Sequence, residues 1–422
     1  MDWPVIASLI LGVTAIVPAL LLTLQTWEFR RFVRSRIAHP KQQAPTQRVA
    51  LFAPCKGLEA GLKENLRPLF EQDHGDYRLV LVVERADDPA CGPIRELMAE
   101  YRYVRSRLTV AGLAVTCGQK VHNLLAATAE LEDAEVLAFV DSDARPRRDW
   151  LLTLVQHLNH PSAAAATGYR WFVPLKNTLP NLLLHSLNAS VAALVGPGRH
   201  HMVWGGAWAI RRDVFESIDL RGHWQGTLSD DLVAARQLAR NGKKTEFEPA
   251  CMTVSPIDVS WRQMVEFVRR QYTVARFYTP DWWRLALVFC TLSQLAFWGG
   301  LLATVVAVVL RADWFLIPAL ISALMYATYQ VRAALRQDAA SYFLPNAPRS
   351  LAAAERFDIW FSPLAGLVNW IGLVGSLCGN GITWRSITYA IERGGRIRIL
   401  RRTDVAESLL KTPPAAPLRK AG

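Results

Sequence analysis

The segment from Pro4 to Trp27 is almost wholly apolar and is long enough to cross a lipid bilayer. Four arginines follow it directly, at positions 30, 31, 34 and 36. Because positive charge concentrates on the cytoplasmic flanks of membrane helices, this basic end is expected to face the cytoplasm. A cleaved signal peptide is the alternative, but such peptides carry basic residues before a shorter apolar run. We therefore predict an amino-terminal transmembrane anchor over residues 1–28.

Three more apolar segments lie near the carboxyl end, within a membrane region predicted over residues 285–400. Segments 285–310 and 314–331 are separated by only three residues, which predicts a helical hairpin that leaves the cytoplasm and returns. Segment 357–378 is interrupted by Pro363 and by glycines, and many arginines follow it. If it crossed the membrane, those arginines would lie outside, against the charge bias. We predict instead a re-entrant or interfacial element and a cytoplasmic carboxyl terminus, with residues 403–422 as a disordered tail.

The composition agrees with an integral, multi-pass membrane protein. Hydrophobic residues make up 51% of the 422 positions, and the formal net charge is +12. Such a charge suits nucleic acid, an anionic membrane surface or a phosphate-bearing substrate. Because the arginines cluster beside apolar runs and no nucleic-acid motif is visible, we predict membrane contact and no nucleic-acid partner. None of the six cysteines forms a CxxC pair, which argues against a structural zinc site and suits reduced cytosolic thiols.

Residues 47–280 alternate between strand-like and helix-like segments, which is typical of an α/β domain with a parallel sheet. In such sheets the ligand lies beyond the carboxyl ends of the strands, so the residues after Val83 and Val140 are expected to bind it. Strand-like runs occur at Val49–Ala53, Leu79–Val83, Leu108–Val110 and Val136–Val140. Helix-like stretches between them occur at Leu62–Gln72, Pro93–Arg102 and Lys120–Leu131.

The sharpest chemical motif is Asp141-Ser142-Asp143, directly after the strand that ends at Val140. Two carboxylates with one residue between them at a strand end can bind a hard divalent cation such as Mg²⁺ or Mn²⁺ together with substrate phosphates. A nucleotide diphosphate leaving group needs that neutralisation as the sugar bond breaks. An ordinary acidic turn is the alternative, because the tripeptide is common.

Further acidic and basic motifs have a local and a functional interpretation. Ser229-Asp230-Asp231 suits a helix N-cap with first-turn acids, or a general base acting on an acceptor hydroxyl. The acids at Glu84, Asp87 and Asp88 suit a turn before Pro89. The segment Trp204–Trp208 suits a packed turn or a sugar-stacking surface. Residues 269–272, with the sequence Arg-Arg-Gln-Tyr, suit a basic membrane flank or a pyrophosphate clamp.

Together these motifs resemble family 2-type glycosyltransferases, and within them the ceramide glucosyltransferase group with its bacterial relatives. The resemblance runs from the first membrane helix to about Leu400. It rests on Lys56-Gly57-Leu58-Glu59 with Asn65-Leu66, Asp87-Asp88-Pro89-Ala90, Lys120-Val121-His122-Asn123-Leu124, Asp141-Ser142, Asp231, and Ile382-Thr383-Trp384-Arg385.

Two departures from the family pattern are visible. The fourth family motif reads (Q/R)xxRW, whereas residues 268–272 of this chain place Gln271 and Tyr272 where arginine and tryptophan are expected. The aromatic character is kept, and the arginine is displaced by one or two positions. Glu84 stands where many family 2 enzymes carry an aspartate. The departures concern binding of the diphosphate or acceptor and recognition of the base.

The resemblance implies a GT-A-like nucleotide-sugar-binding domain and an inverting transfer of a hexose, glucose from UDP-glucose, to a lipid acceptor such as ceramide. Asp143 with Asp141 would hold a divalent cation, Mg²⁺ or Mn²⁺, and Asp231 would be the catalytic base. The implied donor-binding residues are Glu84, Asp88, Lys120, Asp141, Arg269, Arg270, Gln271 and Tyr272.

Three alternatives stay open at this stage. The acceptor could be another lipid, such as diacylglycerol, a hopanoid or a polyprenoid. A processive polysaccharide synthase would need a polymer channel, and the chain has few membrane segments for one. An inactive membrane scaffold would not need acidic residues at all three motif positions.

Overall fold

The computed structural model describes residues 3–38, 47–58, 61–196, 202–345 and 351–403. An α/β domain forms the centre, apolar helices pack on one side of it, and a small sheet at the carboxyl end packs back onto it. The predicted disordered tail, residues 403–422, lies outside the described residues except for its first residue.

Seven strands form the main sheet, in the order β3-β2-β1-β4-β7-β5-β8. The first four of these positions are parallel, and β7 runs antiparallel between β4 and β5. This arrangement confirms the predicted α/β class with a parallel-rich sheet. The strands are β1 (Val49–Pro54), β2 (Tyr77–Val83), β3 (Arg105–Val110), β4 (Val136–Val140), β5 (Ala163–Thr167), β7 (Ala207–Arg211) and β8 (Lys244–Phe247); β6 (Arg170–Pro174) pairs only with β9 (Thr253–Ile257).

Alternating residues of the central strands feed two hydrophobic clusters, one on each face of the sheet. On β1, Phe52 packs into one cluster and Leu51 into the other. Such doubly buried strands read as continuous apolar runs, which is why the sequence revealed them. The edge strand β3 begins at Arg105, three residues before its predicted start. The sequence analysis missed these first three residues because they are polar and at most partly buried.

Helices cover both faces of the sheet and connect its strands. Three of them match the predicted helical stretches to within a few residues: α2 (Leu62–Phe70), α3 (Cys91–Glu100) and α4 (Gln119–Ala127). The others are α5 (Trp150–Val155), α6 (Leu179–Ala192), α7 (Arg212–Ser217), α8 (Leu220–Trp224), α9 (Asp230–Arg240) and α10 (Trp261–Tyr278).

Four helical segments of the described chain are long and apolar enough to cross a membrane. The first is α1 (Trp3–Ala38), which packs along α13 (Leu316–Phe343). The second comprises α11 (Pro280–Gln294) and α12 (Gly300–Val309), joined by one π-helical turn. A short turn at Arg311, which has a positive φ of 54°, then leads into α13, as the hairpin prediction requires.

The fourth candidate helix, α14 (Leu351–Gly375), is continuous through Pro363, although the sequence suggested interruptions. Its first turns pack with Trp171 and Phe343, and its carboxyl end hydrogen-bonds Arg276 of α10. In the middle, Asp358 is fully buried and ion-paired with Arg336 of α13. Both ends of α14 therefore contact the α/β domain.

A three-stranded antiparallel sheet follows α14 and was not predicted. It consists of β10 (Gly381–Trp384), β11 (Ile387–Ile391) and β12 (Ile397–Arg402). Ile382, Tyr389 and Ile391 pack into the same hydrophobic cluster as the main sheet. The carboxyl-terminal sheet is therefore part of the α/β domain.

Candidate active site

A cavity of about 840 Å³ opens at the carboxyl ends of β1 and β4. Both predicted carboxylate motifs, Asp141 to Asp143 and Ser229 to Asp231, line it. The carboxyl-terminal sheet also contributes to the wall, through Trp384 and Arg385 among others. The site thus lies where parallel-sheet topology places ligands.

Lys120 joins the two carboxylate motifs. Its Nζ lies 2.8 Å from Oδ1 of Asp141 and 3.1 Å from Oδ1 of Asp230. The three side chains come from three different elements: the start of α4, the end of β4 and the start of α9. A buried lysine between two carboxylates keeps its charge, and the pKa of Lys120 is accordingly raised, chiefly by Asp141 and then by Asp230, against the effect of burial.

Asp230 is the most deeply buried acid of the site. Burial raises its pKa to about 7, with smaller contributions from Asp231 and Asp141, while Lys120 opposes the shift. Its second oxygen, Oδ2, is buried and has no hydrogen-bond partner among the described residues. Asp230 therefore shares Lys120 with Asp141 through Oδ1, while its Oδ2 lacks a hydrogen-bond partner among the described residues.

Asp231, the predicted catalytic base, lies in the cavity wall and is half-buried. Its Oδ1 accepts hydrogen bonds from Ser229 Oγ at 2.5 Å and from the backbone N–H of Leu232 at 2.7 Å. Its Oδ2 accepts from the backbone N–H of Gly205 at 3.0 Å. The helix N-cap interpretation and the cavity position are therefore both realised, since Ser229 caps α9 and Asp231 is a first-turn acid that also lines the cavity.

Asp143 is exposed to the cavity, and among the described residues no lysine or arginine pairs with it within 4 Å. Enclosure raises its pKa, and the neighbouring Asp141 adds to the shift, while Arg170 and Arg385 oppose it. Surplus negative charge of this kind, on an exposed carboxylate in a wide cavity, fits a hard divalent cation. No group of three or more His, Cys, Asp or Glu side chains that could hold a metal ion occurs among the described residues.

Arginine and aromatic side chains pack against one another in the cavity wall near Asp143. Arg170 and Arg270 both lie over the ring of Phe267, with guanidinium-to-centroid distances of 5.2 Å and 5.4 Å. Arg270 also stacks on Trp384 at 5.8 Å. Burial and the nearby Arg170 and Arg385 lower the pKa of Arg270 to about 10, so it stays charged at neutral pH. The wall suits an anion with several oxygens.

The four residues of the basic motif, 269–272, do not all face the cavity. Arg270, Gln271 and Tyr272 line the cavity, and Tyr272 hydrogen-bonds Asn369 of α14. Arg269 does not line it: its guanidinium donates to the backbone carbonyls of Gly375 and Cys378, at 3.4 Å and 3.0 Å. The helical period of α10 separates adjacent arginines onto different faces, which accounts for the division.

Glu84 and Asp88 are brought close to the cavity but not into its wall. Glu84 is ion-paired with Lys56, which does line the cavity, and with Arg402 at 3.5 Å. Asp88 accepts backbone hydrogen bonds from Gly57 at 2.9 Å and Ala90 at 2.8 Å. Both acids thus support the cavity-lining loop at Lys56 and Gly57 from behind.

Another part of the cavity lining, which we call the apolar arm, consists of apolar side chains. They come from β6, α6, β9 and the residues that follow β9. Some of these elements also pack against α14, since Leu184, Met264 and Ala365 belong to one hydrophobic cluster. The arm therefore runs beside an apolar helix that borders the candidate membrane region. Its lining includes Phe172, Leu184, Leu187, Val191, Ile257 and Val259.

Tyr169 and Arg170 are among the cavity residues that the sequence interpretation missed. Tyr169 lies between β5 and β6, and Arg170 is the first residue of β6, in a segment with no recognisable motif. Tyr169 packs beside Trp204, with ring centroids 5.8 Å apart, and Trp204 lines the cavity while Trp208 is buried in the core. The sequence signal that could have found them is their position shortly after the short apolar run at Ala163–Ala166.

One cavity at the edge of a parallel-rich sheet is thus lined by an acidic motif after β4, a second acidic motif at the start of α9, and the arginines Arg170, Arg270 and Arg385. The chain belongs to glycosyl transferase family 21, whose model matches residues 10–397. It is therefore a glycosyltransferase.

The solved structures that the chain resembles include two glycosyltransferases. The chain resembles the mannosyltransferase PcManGT from Pyrobaculum calidifontis, solved with GDP-Man and Mn²⁺, at 16% identity and a TM-score of 0.46, covering 87% of this chain and 96% of that one. It also resembles GalNAc-T7, solved with UDP, GalNAc and Mn²⁺, at 10% identity and a TM-score of 0.40, covering 53% and 48% of the two chains.

Proposed function

We propose that this glycosyltransferase moves a hexose, glucose from UDP-glucose, onto the hydroxyl group of a membrane lipid such as ceramide at the cytoplasmic face. The observation that carries the proposal is the make-up of the cavity lining. Carboxylates and arginines form one part of it, and apolar side chains, some from helices that pack on α14, form the other. A nucleotide sugar suits the first part, and a lipid tail suits the second.

Asp231 is the base in this mechanism. Its Oδ2 faces the cavity with a single backbone N–H as partner, so a lone pair remains for the proton of an acceptor hydroxyl. Deprotonating the hydroxyl as it attacks the anomeric carbon gives one displacement and inversion. Lys120 contacts both Asp141 and Asp230, and so it fixes the two carboxylate motifs relative to each other. Asp231, the neighbour of Asp230, is thereby held at a fixed position relative to Asp141.

The diphosphate leaving group would lie between Asp143 and the arginine wall. A divalent cation held by Asp143, with Asp141 beside it, would neutralise charge on that leaving group. Arg170 and Arg270 supply fixed positive charge from the opposite side, stacked on Phe267 and therefore oriented. Gln271 and Tyr272 border the passage from these charges to the apolar arm.

The acidic surroundings of the base favour an uncharged acceptor. Asp143, Asp230 and Asp231 would repel a lipid phosphate at the attacking position, whereas a neutral hydroxyl needs the base that they provide. Ceramide, diacylglycerol, hopanoids and polyprenols all offer such a hydroxyl. A polysaccharide synthase would instead need an aqueous polymer path, and the apolar lining of the arm does not suit one.

Membrane topology follows from the same proposal. We place the α/β domain in the cytoplasm, where nucleotide sugars are found, and α14 as an interfacial or re-entrant element. The contacts of both its ends with the α/β domain support this placement. In a background without native cysteines, a cysteine at position 411 should resist an impermeant thiol reagent in intact cells. Labelling of that cysteine would mean that α14 crosses the bilayer.

The decisive experiment combines a donor panel with analysis of lipids. Membranes containing the protein are incubated with UDP-, GDP- and other nucleotide sugars, and the lipid extract is examined by mass spectrometry. A new hexosylated lipid should form with one donor, and membranes carrying Asp231→Asn should not form it. If no donor gives a glycolipid in the wild type, or if the variant forms it equally well, the proposed reaction is wrong.

A further inference from the structure

Arg402, the last residue of β12, is buried behind the donor end of the cavity. Its side chain is only 1% exposed, although it belongs to a short strand whose neighbours Arg401 and Thr403 are exposed. A guanidinium that has left water must be compensated by specific partners. Its partners lie about three hundred positions earlier in the chain, in the first half of the α/β domain.

The first set of contacts leads to Lys56. Arg402 Nη1 lies 3.5 Å from Oε2 of Glu84, whose other oxygen, Oε1, is bound by Lys56. Glu84 is 4% exposed and does not reach the cavity, whereas Lys56 lines it. Glu84 is therefore shared between two cations, and Arg402 limits how strongly the carboxylate draws Lys56 away from the ligand space.

The second set of contacts leads to Lys120. Arg402 Nη2 donates to Oε1 of Gln119 at 2.7 Å and to the carbonyl of Ala114 at 2.9 Å. The backbone N–H of Gln119 donates to the hydroxyl of Tyr389 on β11 at 3.2 Å. Gln119 is the first residue of α4, so these bonds fix the helix start that carries Lys120.

The carboxyl-terminal sheet thus holds both cavity-lining lysines from behind. Gln119 has every polar side-chain atom bonded: Oε1 to Arg402 and to the N–H of Ala114, and Nε2 to Gly112 and Asn123. A fully satisfied network of this kind is rigid and sensitive to the loss of any member. Arg402 does not itself line the cavity, so it cannot act by touching the substrate.

We propose that Arg402 is a positioning residue for donor binding, and that it acts through Glu84 on Lys56 and through Gln119 on Lys120. The inference rests on the proposed nucleotide-sugar donor and makes the carboxyl-terminal sheet an obligatory part of that donor's site. It predicts an effect on the donor and none on the lipid acceptor.

The test measures binding of UDP and of GDP to the full-length protein in lipid nanodiscs, in the presence of Mn²⁺. Arg402→Met should weaken the better-bound nucleotide about tenfold or more, the scale of one lost charge-assisted hydrogen bond. Arg402→Lys should recover part of the loss, because it keeps the charge beside Glu84. Arg401→Met, the exposed neighbour on the same strand, is the matched control and should bind as the wild type does.

Steady-state kinetics separate positioning from general damage. Arg402→Met should raise the KM for the donor and leave the KM for the lipid acceptor unchanged. If Arg402→Met does not fold, Arg402→Lys decides the question, and it should weaken nucleotide binding several-fold. Wild-type affinity in folded Arg402 variants would overturn this inference alone. A wild-type protein that binds neither nucleotide would overturn the proposed donor as well.

Discussion

The backbone N–H of Gly205 donates a hydrogen bond to Oδ2 of Asp231 at 3.0 Å, across a gap of 26 residues in the chain. The contact brings the glycine-rich turn before β7 against the start of α9. It leaves no room for a side chain at position 205: an added Cβ would lie 2.7 Å from Nζ of Lys120 and 3.0 Å from Oδ2 of Asp230. The turn at Gly205 therefore packs directly against Asp230 and Asp231, with no space between them.

The Gly205→Ala variant tests this packing. The added methyl group should displace Lys120 from its two carboxylates and lower turnover on the order of tenfold or more, because misplacement by about 1 Å is costly in active sites. Gly75→Ala is the control, since an added Cβ there meets nothing within 4 Å. Initial rates with saturating donor and acceptor provide the measurement, and equal rates in the two variants would contradict the packing argument.

Replacing Asp231 by asparagine should separate binding from chemistry. The amide cannot take a proton from the acceptor, so turnover should fall on the order of 10²-fold or more, while affinity for the nucleoside diphosphate stays within a factor of a few. Single-turnover rates and nucleotide binding are measured on the same preparation. Asp133→Asn, at an exposed turn far from the cavity, should be unaffected. Near-normal turnover in Asp231→Asn would remove this residue from the mechanism.

A divalent cation should be required, and Asp143 should be its main protein ligand. Excess chelator should abolish transfer, and added Mn²⁺ or Mg²⁺ should restore it. The Asp143→Asn variant should bind Mn²⁺ at least about tenfold more weakly in electron paramagnetic resonance titrations, a readout that does not depend on turnover. Full activity in chelator would show that Arg170 and Arg270 alone neutralise the leaving group.

The buried ion pair between Asp358 and Arg336 should dominate the attachment of α14. Asp358 also accepts a hydrogen bond from Gln337 at 2.7 Å, and it bonds Ser186 of α6. Removing one member leaves an uncompensated buried charge, so Asp358→Ala should lower the free energy of unfolding by about 3–5 kcal/mol. Glu216→Gln, which breaks the exposed Arg212 pair, should change it by less than about 1 kcal/mol. Thermal unfolding in detergent compares the two variants.

The sequence revealed those parts of the candidate site in which the side chains directly follow a strand that can be recognised from its apolar residues. The strands ending at Val83 and Val140 are continuous apolar runs, because both faces of the sheet are buried. The acids that follow them could be located for the same reason. Predictions of this kind depend on neighbours in sequence, and the fold confirms them.

The other parts depend on contacts that no local pattern contains. Arg170 joins Arg270 over Phe267 only because β6 and α10 meet in space. The strands of the carboxyl-terminal sheet are short, with exposed and buried residues mixed, so they resembled a basic membrane flank. Helical period also separated Arg269 from Arg270, a distinction that needs the orientation of α10. Long-range packing, and not propensity, determined each of these.

The contacts of Arg402 have a consequence for how the protein is made. Chains are synthesised from the amino end, and domains fold as their residues emerge. Glu84 and Gln119 are made early, yet one partner of each is supplied by the last strand, after every apolar helix has left the ribosome. Under the proposed function, a nascent chain would lack a complete nucleotide pocket while its apolar helices insert. Sugar transfer would become available only once the protein is in the bilayer that holds the proposed lipid acceptor.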